Sequence, residues 1–211
     1  MLIAVALSAI AATHDPAVWT GALIQANLHP ERTTGPRLWV DLHARSWENG
    51  WTSITRPAVG WDLAPGVSAF VGYAWIPTVD PANTLTNEHR SWVQLVLQPD
   101  VGAVSLAVRP RLEQRFSDAV SGVGHRARLW ARVGVPVSDA LSIVVTDELF
   151  VGLVDTGWSV GGFDQNRAFV GIALPLAASG RIELGYLDAM LLRGGEVLHQ
   201  HVASTLLVLS L

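Results

Sequence analysis

The chain contains no cysteine, which excludes a disulfide frame, a thiolate nucleophile and any Cys-based zinc or iron–sulfur site. It contains no lysine either, so all 14 basic residues are arginine, a rigid and permanently charged fork suited to partly buried networks. Charge of either sign is scarce: 15% of 211 residues are charged and 50% hydrophobic, against roughly 25% charged in a typical soluble domain. That composition disfavours an ordinary cytosolic globule and excludes disorder. A net charge of −4 leaves no basic footprint, so nucleic acid is not expected as a partner. Nor is there a run of about 20 uncharged apolar residues that would make a transmembrane helix. The charge-free stretch from Leu63 to Val79 is broken by Pro65, Gly66, Gly72 and Pro77.

What is present is alternation. Residues 1–11 read as a short signal peptide: an apolar run ends in the small-residue pattern Ala9-Ile10-Ala11, without a basic n-region. Either an atypical export signal or a late start codon accounts for it; a buried N-terminal element is the alternative. From residue 17 to 211 a single domain is expected, made of short period-2 segments punctuated by turn residues. In Arg37–Trp47, Leu38, Val40, Leu42 and Ala44 fall on one face, with Arg37, Trp39, Asp41, His43 and Arg45 on the other. The same split recurs over 88–98, 106–116, 126–135, 167–174 and 181–186. It sorts Arg90, Arg109, Arg111, Glu113, Arg115, Arg126, Arg128, Arg132, Arg167, Arg181 and Glu183 onto the polar face, and Glu148 belongs with them.

A soluble sandwich also alternates. The distinction lies in the crowding of arginine on one face, opposite a face nearly free of charge over about ten residues per strand. An all-β, antiparallel up-and-down transmembrane barrel reconciles both, because the arginines then line a lumen beside acids and the uncharged face meets lipid. Eleven segments are countable: 17–29, 37–47, 51–63, 67–76, 88–98, 104–116, 124–135, 140–153, 165–175, 181–191 and 198–211. Single-chain bacterial barrels have even strand numbers, so 10–12 strands are expected, with the miscount placed before residue 65. Turns near 98–101, 136–139 and 177–180 would face the periplasm, and the connections at 77–87, 117–123, 154–163 and 192–197 the outside. Pro110, inside a strand, suggests a bulge. The C-terminus carries Leu207, Leu209 and Leu211 at alternate positions but no terminal aromatic.

Several strings occur in order: Trp19-Thr20-Gly21, Asn87-Glu88-His89-Arg90-Ser91-Trp92, Arg109-x-Arg111-Leu112-Glu113-Gln114-Arg115-Phe116, Asp147-Glu148-Leu149-Phe150, Phe163-Asp164-Gln165-Asn166-Arg167 with Gly171, and Glu183-Leu184-Gly185-Tyr186. Together, over residues 17–211, they resemble the bacterial family catalogued as domain of unknown function 2490, which is grouped with outer-membrane β-barrels. The resemblance implies fold and location, with outer-membrane lipid and the barrel-assembly machinery as partners. It implies no activity.

For chemistry, the Arg/Glu set reads as a lumen-filling ion-pair network or as an anion-attracting pore lining. Asp147 and Glu148 are adjacent and so point to opposite faces, which excludes a carboxylate pair; Asp147 faces lipid unless it lies at the interface. His199 and His201 share a face at metal-ligand spacing but lack a third ligand, so neither metal nor cofactor is expected. A lipid- or lipopolysaccharide-modifying hydrolase would need His43, His89, His125 or His199 as base, yet no nucleophile elbow, P-loop or dinucleotide fingerprint is present. No catalytic residue is assigned. Of the 9 Trp, outward-facing members near strand ends would form interface girdles, while Trp39, Trp92 and Trp130 share the arginine face and should stack under guanidinium groups. An outer-membrane barrel, structural or narrowly porous, is the expectation; a soluble lipocalin-like barrel is the rival.

Overall fold

The computed structural model of the protein describes residues 12–48, 50–156, 158–176, 179–193 and 195–211. The expected signal peptide at 1–11, and Ala177 and Ala178 of one expected turn, lie outside them. Eleven long strands form the wall: β1 (Ala12–Asn27), β2 (Gly35–Trp47), β3 (Gly50–Ala64), β4 (Val67–Val79), β5 (Leu85–Leu97), β7 (Val104–Ser117), β8 (Gly124–Ser138), β9 (Leu141–Gly152), β10 (Gly162–Leu176), β11 (Gly180–Arg193) and β12 (Glu196–Ser210). The two-residue strand β6 (Asp100–Val101) only folds the β5–β7 turn back on β7. Each long strand coincides with one of the eleven counted segments. The period-2 pattern locates them because a half-buried pleat repays only alternate positions.

Consecutive wall strands pair antiparallel, β5 with β7 included, and β1 pairs with β12, so the sheet closes on itself. That last pairing is parallel, over fourteen residue pairs from Ala12↔Val197 to Gln25↔Ser210. This corrects the expected even count. An up-and-down barrel needs an even number only if every junction is antiparallel, and one parallel junction permits eleven. The region before residue 65 therefore holds no miscounted strand. One consequence is that β1 begins at the rim carrying the 80–84, 118–123 and 153–161 connections, and the C-terminus lies at the opposite rim. We call these the loop rim and the turn rim.

Pro110 causes no bulge. The β5–β7 ladder lapses between Gln94↔Arg111 and Leu97↔Val108 with its register unchanged, as expected for a residue that lacks an amide donor. Register shifts fall instead at Asp62/Ala64, Pro136/Ser138 and Phe163/Gln165. At the β3–β4 turn, Gly66 takes φ 71° against the Gln98 carbonyl, and an added Cβ would sit 2.4 Å from that oxygen. The position thus needs both glycine's conformation and its lack of a side chain.

The two faces of the wall are inverted relative to a water-soluble protein. Glu113 and Arg126 point inward and are 3% and 4% exposed, while Val59, Val71, Leu112 and Val170 point outward at 58%, 55%, 54% and 52%. The interior is itself divided. An apolar cluster built on Trp39, Ile54, Phe70, Ala74, Ile76, Trp92 and Val96 fills the β2–β5 side. β4 carries no charge because it is apolar on both faces: Phe70, Ala74 and Ile76 pack inward, and Val71, Tyr73 and Trp75 point out. Close packing there relies on small residues; Gly72 leaves room for the Trp92 ring, whose nearest atom would lie 2.3 Å from an added Cβ.

Candidate functional site

The ionic half of the interior follows from register. Glu113 of β7 stands opposite Arg126 of β8 and Arg167 of β10 opposite Glu148 of β9, so inward side chains of opposite sign meet there between neighbouring strands, whereas Arg90 of β5 faces the like-charged Arg115 of β7. Glu113 is the hub. Arg126 donates to its Oε2 from Nε (3.2 Å) and Nη2 (2.7 Å), and Arg128 Nη1 donates to Oε1. Arg90 and Arg111 lie 3.6 and 3.5 Å from it. Each direction then extends. Arg90 and Arg115 both grip Glu88 through forked bonds of 2.5–3.2 Å. Arg126 reaches Asp164 at 3.0 Å. Arg128 also donates to Glu148, which Arg167 approaches at 3.5 Å. Charge-assisted forks of this kind combine energy with fixed geometry.

Eight of the twelve residues expected in one network are therefore connected: Arg90, Arg111, Glu113, Arg115, Arg126, Arg128, Glu148 and Arg167. Three form a separate group, in which Arg132 and Arg181 donate to the same oxygen of Glu183 at 2.9 and 2.7 Å. Arg109 joins neither. Its guanidinium lies over the rings of Trp130 (3.4 Å) and Trp39 (5.4 Å), and Arg111 lies over Trp92 at 4.1 Å.

Arg56 was not legible in advance. It is 5% exposed and donates to Asp41 at 2.6 Å, while His43 meets the other oxygen of that carboxylate at 2.7 Å. Its inward neighbours on β3 are Ile54 and Ala58, so no polar residue beside it on that face marks it, the next inward acid being Asp62 near the strand's end. The available signal was Asp41, an inward acid on the adjacent strand and directly opposite in register.

These groups surround a cavity of about 140 Å³ near the middle of the barrel, to which every wall strand except β4 contributes. Six arginines line it (Arg45, Arg56, Arg109, Arg111, Arg128 and Arg167) against three carboxylates, Asp41, Glu148 and Glu183. Opposite Arg167, Arg45 stacks on Trp19 at 4.0 Å. Phe169 also borders the cavity and rests over two facing glycines, Gly171 and Gly185.

The outward face carries a polar collar toward the loop rim. Tyr73 is hydrogen-bonded to His89, Ser91 donates to Gln114 at 3.3 Å, and Asn166 donates to both oxygens of Asp147 at 3.1 Å. Asp147 is thus outward, exposed and held by an amide. At the parallel junction, His201 links Tyr186 (2.5 Å) to His14 (2.8 Å), and His199 sits 3.0 Å from Asp188. His199 and His201 do share a face, but among the described residues no group of three or more possible ligands is placed to hold a metal. Among the described residues no serine or threonine hydroxyl is hydrogen-bonded to the ring of His43, His89, His125 or His199. In the loop after β7, the Asn87 side-chain amide and backbone N–H both donate to Asp118 at 2.8 Å, holding its carboxyl below its usual pKa.

A family model described as "Protein of unknown function (DUF2490)" matches residues 17–196. An uncharacterized protein of Methylorubrum extorquens is 35% identical over 140 residues, covering 64% of this chain. The aligned part of the chain spans 61% of that relative's length. No solved structure matches.

Proposed function

Because the chain belongs to the DUF2490 family, whose activity is unassigned, its role rests on its own geometry, and we propose that it is an outer-membrane β-barrel with a filled, ion-pair-braced interior. The observation that carries this reading is the inversion of the wall, with charged residues inside and large aliphatic ones outside. In water such a surface would be a continuous aggregation-prone patch; against acyl chains it is the favourable arrangement, and closure satisfies the backbone without edges. The uncharged outward band, exemplified by Val71, Val93, Val145 and Val170, gives way toward the loop rim to the Tyr, Trp, His and Asn collar. Amphipathic aromatics of this kind suit the depth of lipid headgroups. Partners on this reading are outer-membrane lipid and the assembly machinery that inserts barrels.

Structural bracing is favoured over conduction because side chains occupy the bore. Trp39, Trp92 and Phe150 are 1–2% exposed, and the Glu113 hub crosses from β5 to β10. The test is twofold. Protein extracted from outer-membrane fractions should migrate faster unboiled than boiled, and planar bilayers holding it should stay silent. A single band in both samples, or folding without detergent, would remove the membrane barrel in favour of a soluble one. Current steps whose selectivity changes in Arg111→Glu or Arg128→Glu would replace the filled interior by a narrow anion-selecting pore.

A further inference from the structure

We infer that the central cavity is a binding site for one small tetrahedral oxyanion of the size and charge of phosphate or sulfate. Three independent features of the cavity wall lead there.

The first is charge. Six guanidinium groups face three carboxylates across the lining, and counting Glu113, which pairs with Arg111 and Arg128, still leaves two cations over, so the protein's own acids do not balance the site. Arg45 and Arg109 have no carboxylate within 4.0 Å among the described residues and rest on Trp rings instead. An interior cation without a counter-charge is costly, and an anion placed among these groups removes that cost.

The second is the chemistry of the unpartnered atoms. Among the described residues, six lining groups are buried without a hydrogen-bond partner: Arg45 Nε, Arg56 Nε, Arg109 Nε, Gln94 Nε2, Trp19 Nε1 and Arg111 Nη1, the last having only its 3.5 Å ion pair with Glu113. Every one is an N–H donor. A site missing only acceptors calls for a ligand made mainly of acceptors, as sulfate and hydrogen phosphate are and a cation or sugar is not. Arg56, Arg111, Gln94 and Trp19 are 4–7% exposed, so these donors belong to side chains held in place.

The third is size. About 140 Å³ is room for roughly ten waters, well under the ~300–1,000 Å³ of pockets that take drug-sized ligands. A four-oxygen anion fits with a partial water shell. This site stands on the interior alone, whichever solvent the outer wall meets, so its failure and that of the membrane reading are separable.

The test uses the refolded full chain in detergent, with folding verified by the gel shift. Inorganic phosphate and sodium sulfate are titrated calorimetrically at fixed ionic strength set with chloride. The expected result is saturable binding of one phosphate or sulfate per chain. Arg45→Gln and Arg109→Gln should each weaken it at least tenfold; neither strands a carboxylate, so both should fold. Arg37→Gln, whose partner is Asp62 outside the cavity, should bind as the parent does. No saturable heat in folded protein, or equal weakening in Arg37→Gln, overturns the site. Chloride matching phosphate at equal concentration does so too, since screening rather than an oxyanion pocket would explain it.

Discussion

Replacing Glu113 by Gln keeps the volume of the side chain and removes only its charge, so the loss in stability reads the hub directly. The Glu113 side chain is fully inaccessible, and four guanidinium groups lie within 3.6 Å. Glutamine retains one acceptor and presents an NH2 donor to the others, leaving donor against donor. A hydrogen bond to a charged group contributes about 1.5–3 kcal/mol, and breaking a buried ion pair costs about 3–5 kcal/mol. Three of the four arginines keep a second carboxylate: Arg90 has Glu88, Arg126 has Asp164 and Arg128 has Glu148. Arg111 alone is left without one, so the lower end, about 3 kcal/mol, is expected. The control is Glu31→Gln, whose side chain is 63% exposed and should change stability by less than about 0.5 kcal/mol. Because Arg111 is the group left without a carboxylate, adding Arg111→Gln to Glu113→Gln should restore about 1 kcal/mol or more, a double-mutant coupling of the kind contacting residues show. The assay is reversible urea unfolding in detergent or lipid, followed by tryptophan emission. Equal midpoints for Glu113→Gln and Glu31→Gln, or no recovery in the double variant, would refute a buried hub.

Further outcomes follow from the faces of the wall. Val170→Arg, outward in the uncharged band and 52% exposed, should cost about 2–4 kcal/mol in folding from urea into lipid vesicles, whereas Gln114→Arg in the collar should cost about 0–1 kcal/mol; equal costs would deny a depth-dependent lipid contact. Gly185→Val places a Cβ 2.3 Å from the Val170 carbonyl oxygen and 2.8 Å from the Phe169 ring, so overpacking of about 1–3 kcal/mol is expected as a lowered urea midpoint. Calorimetric titration of phosphate into Arg45→Gln and Arg109→Gln should show binding at least tenfold weaker than in the parent.

Strand positions were legible because each wall strand must present alternate residues to two different environments, and only a period of two does so. The inward set from Arg90 to Glu183 followed from that parity. Closure was not legible: the parallel β1–β12 pairing joins residues some 185 apart, and nothing in either strand's alternation encodes the direction of its neighbour. The bulge expected at Pro110 failed because a missing donor can interrupt a ladder without adding a residue. Two interior features lacked a local signal as well. β4 gave no charged face to recognise, and Arg56 stood among small apolar neighbours, so the apolar side of the bore and the Asp41–Arg56 pair emerge only from cross-strand register. The exclusion of Arg109 from the ion pairs is likewise tertiary, set by the Trp130 and Trp39 rings beneath it.

The absence of cysteine makes the most direct measurement clean, since each introduced cysteine is the only one in the chain. Nitroxide labels on Ile143→Cys, Val144→Cys and Val145→Cys, in protein reconstituted into vesicles, report contact with dissolved oxygen and with a polar nickel chelate. Residues 143 and 145 point outward, and Val144 is fully buried. Strong oxygen access with weak nickel access at 143 and 145, and little of either at 144, is the predicted result. Nickel access at 143 and 145 equal to that of a water-exposed loop, or no alternation across the three, would contradict an uncharged wall facing lipid.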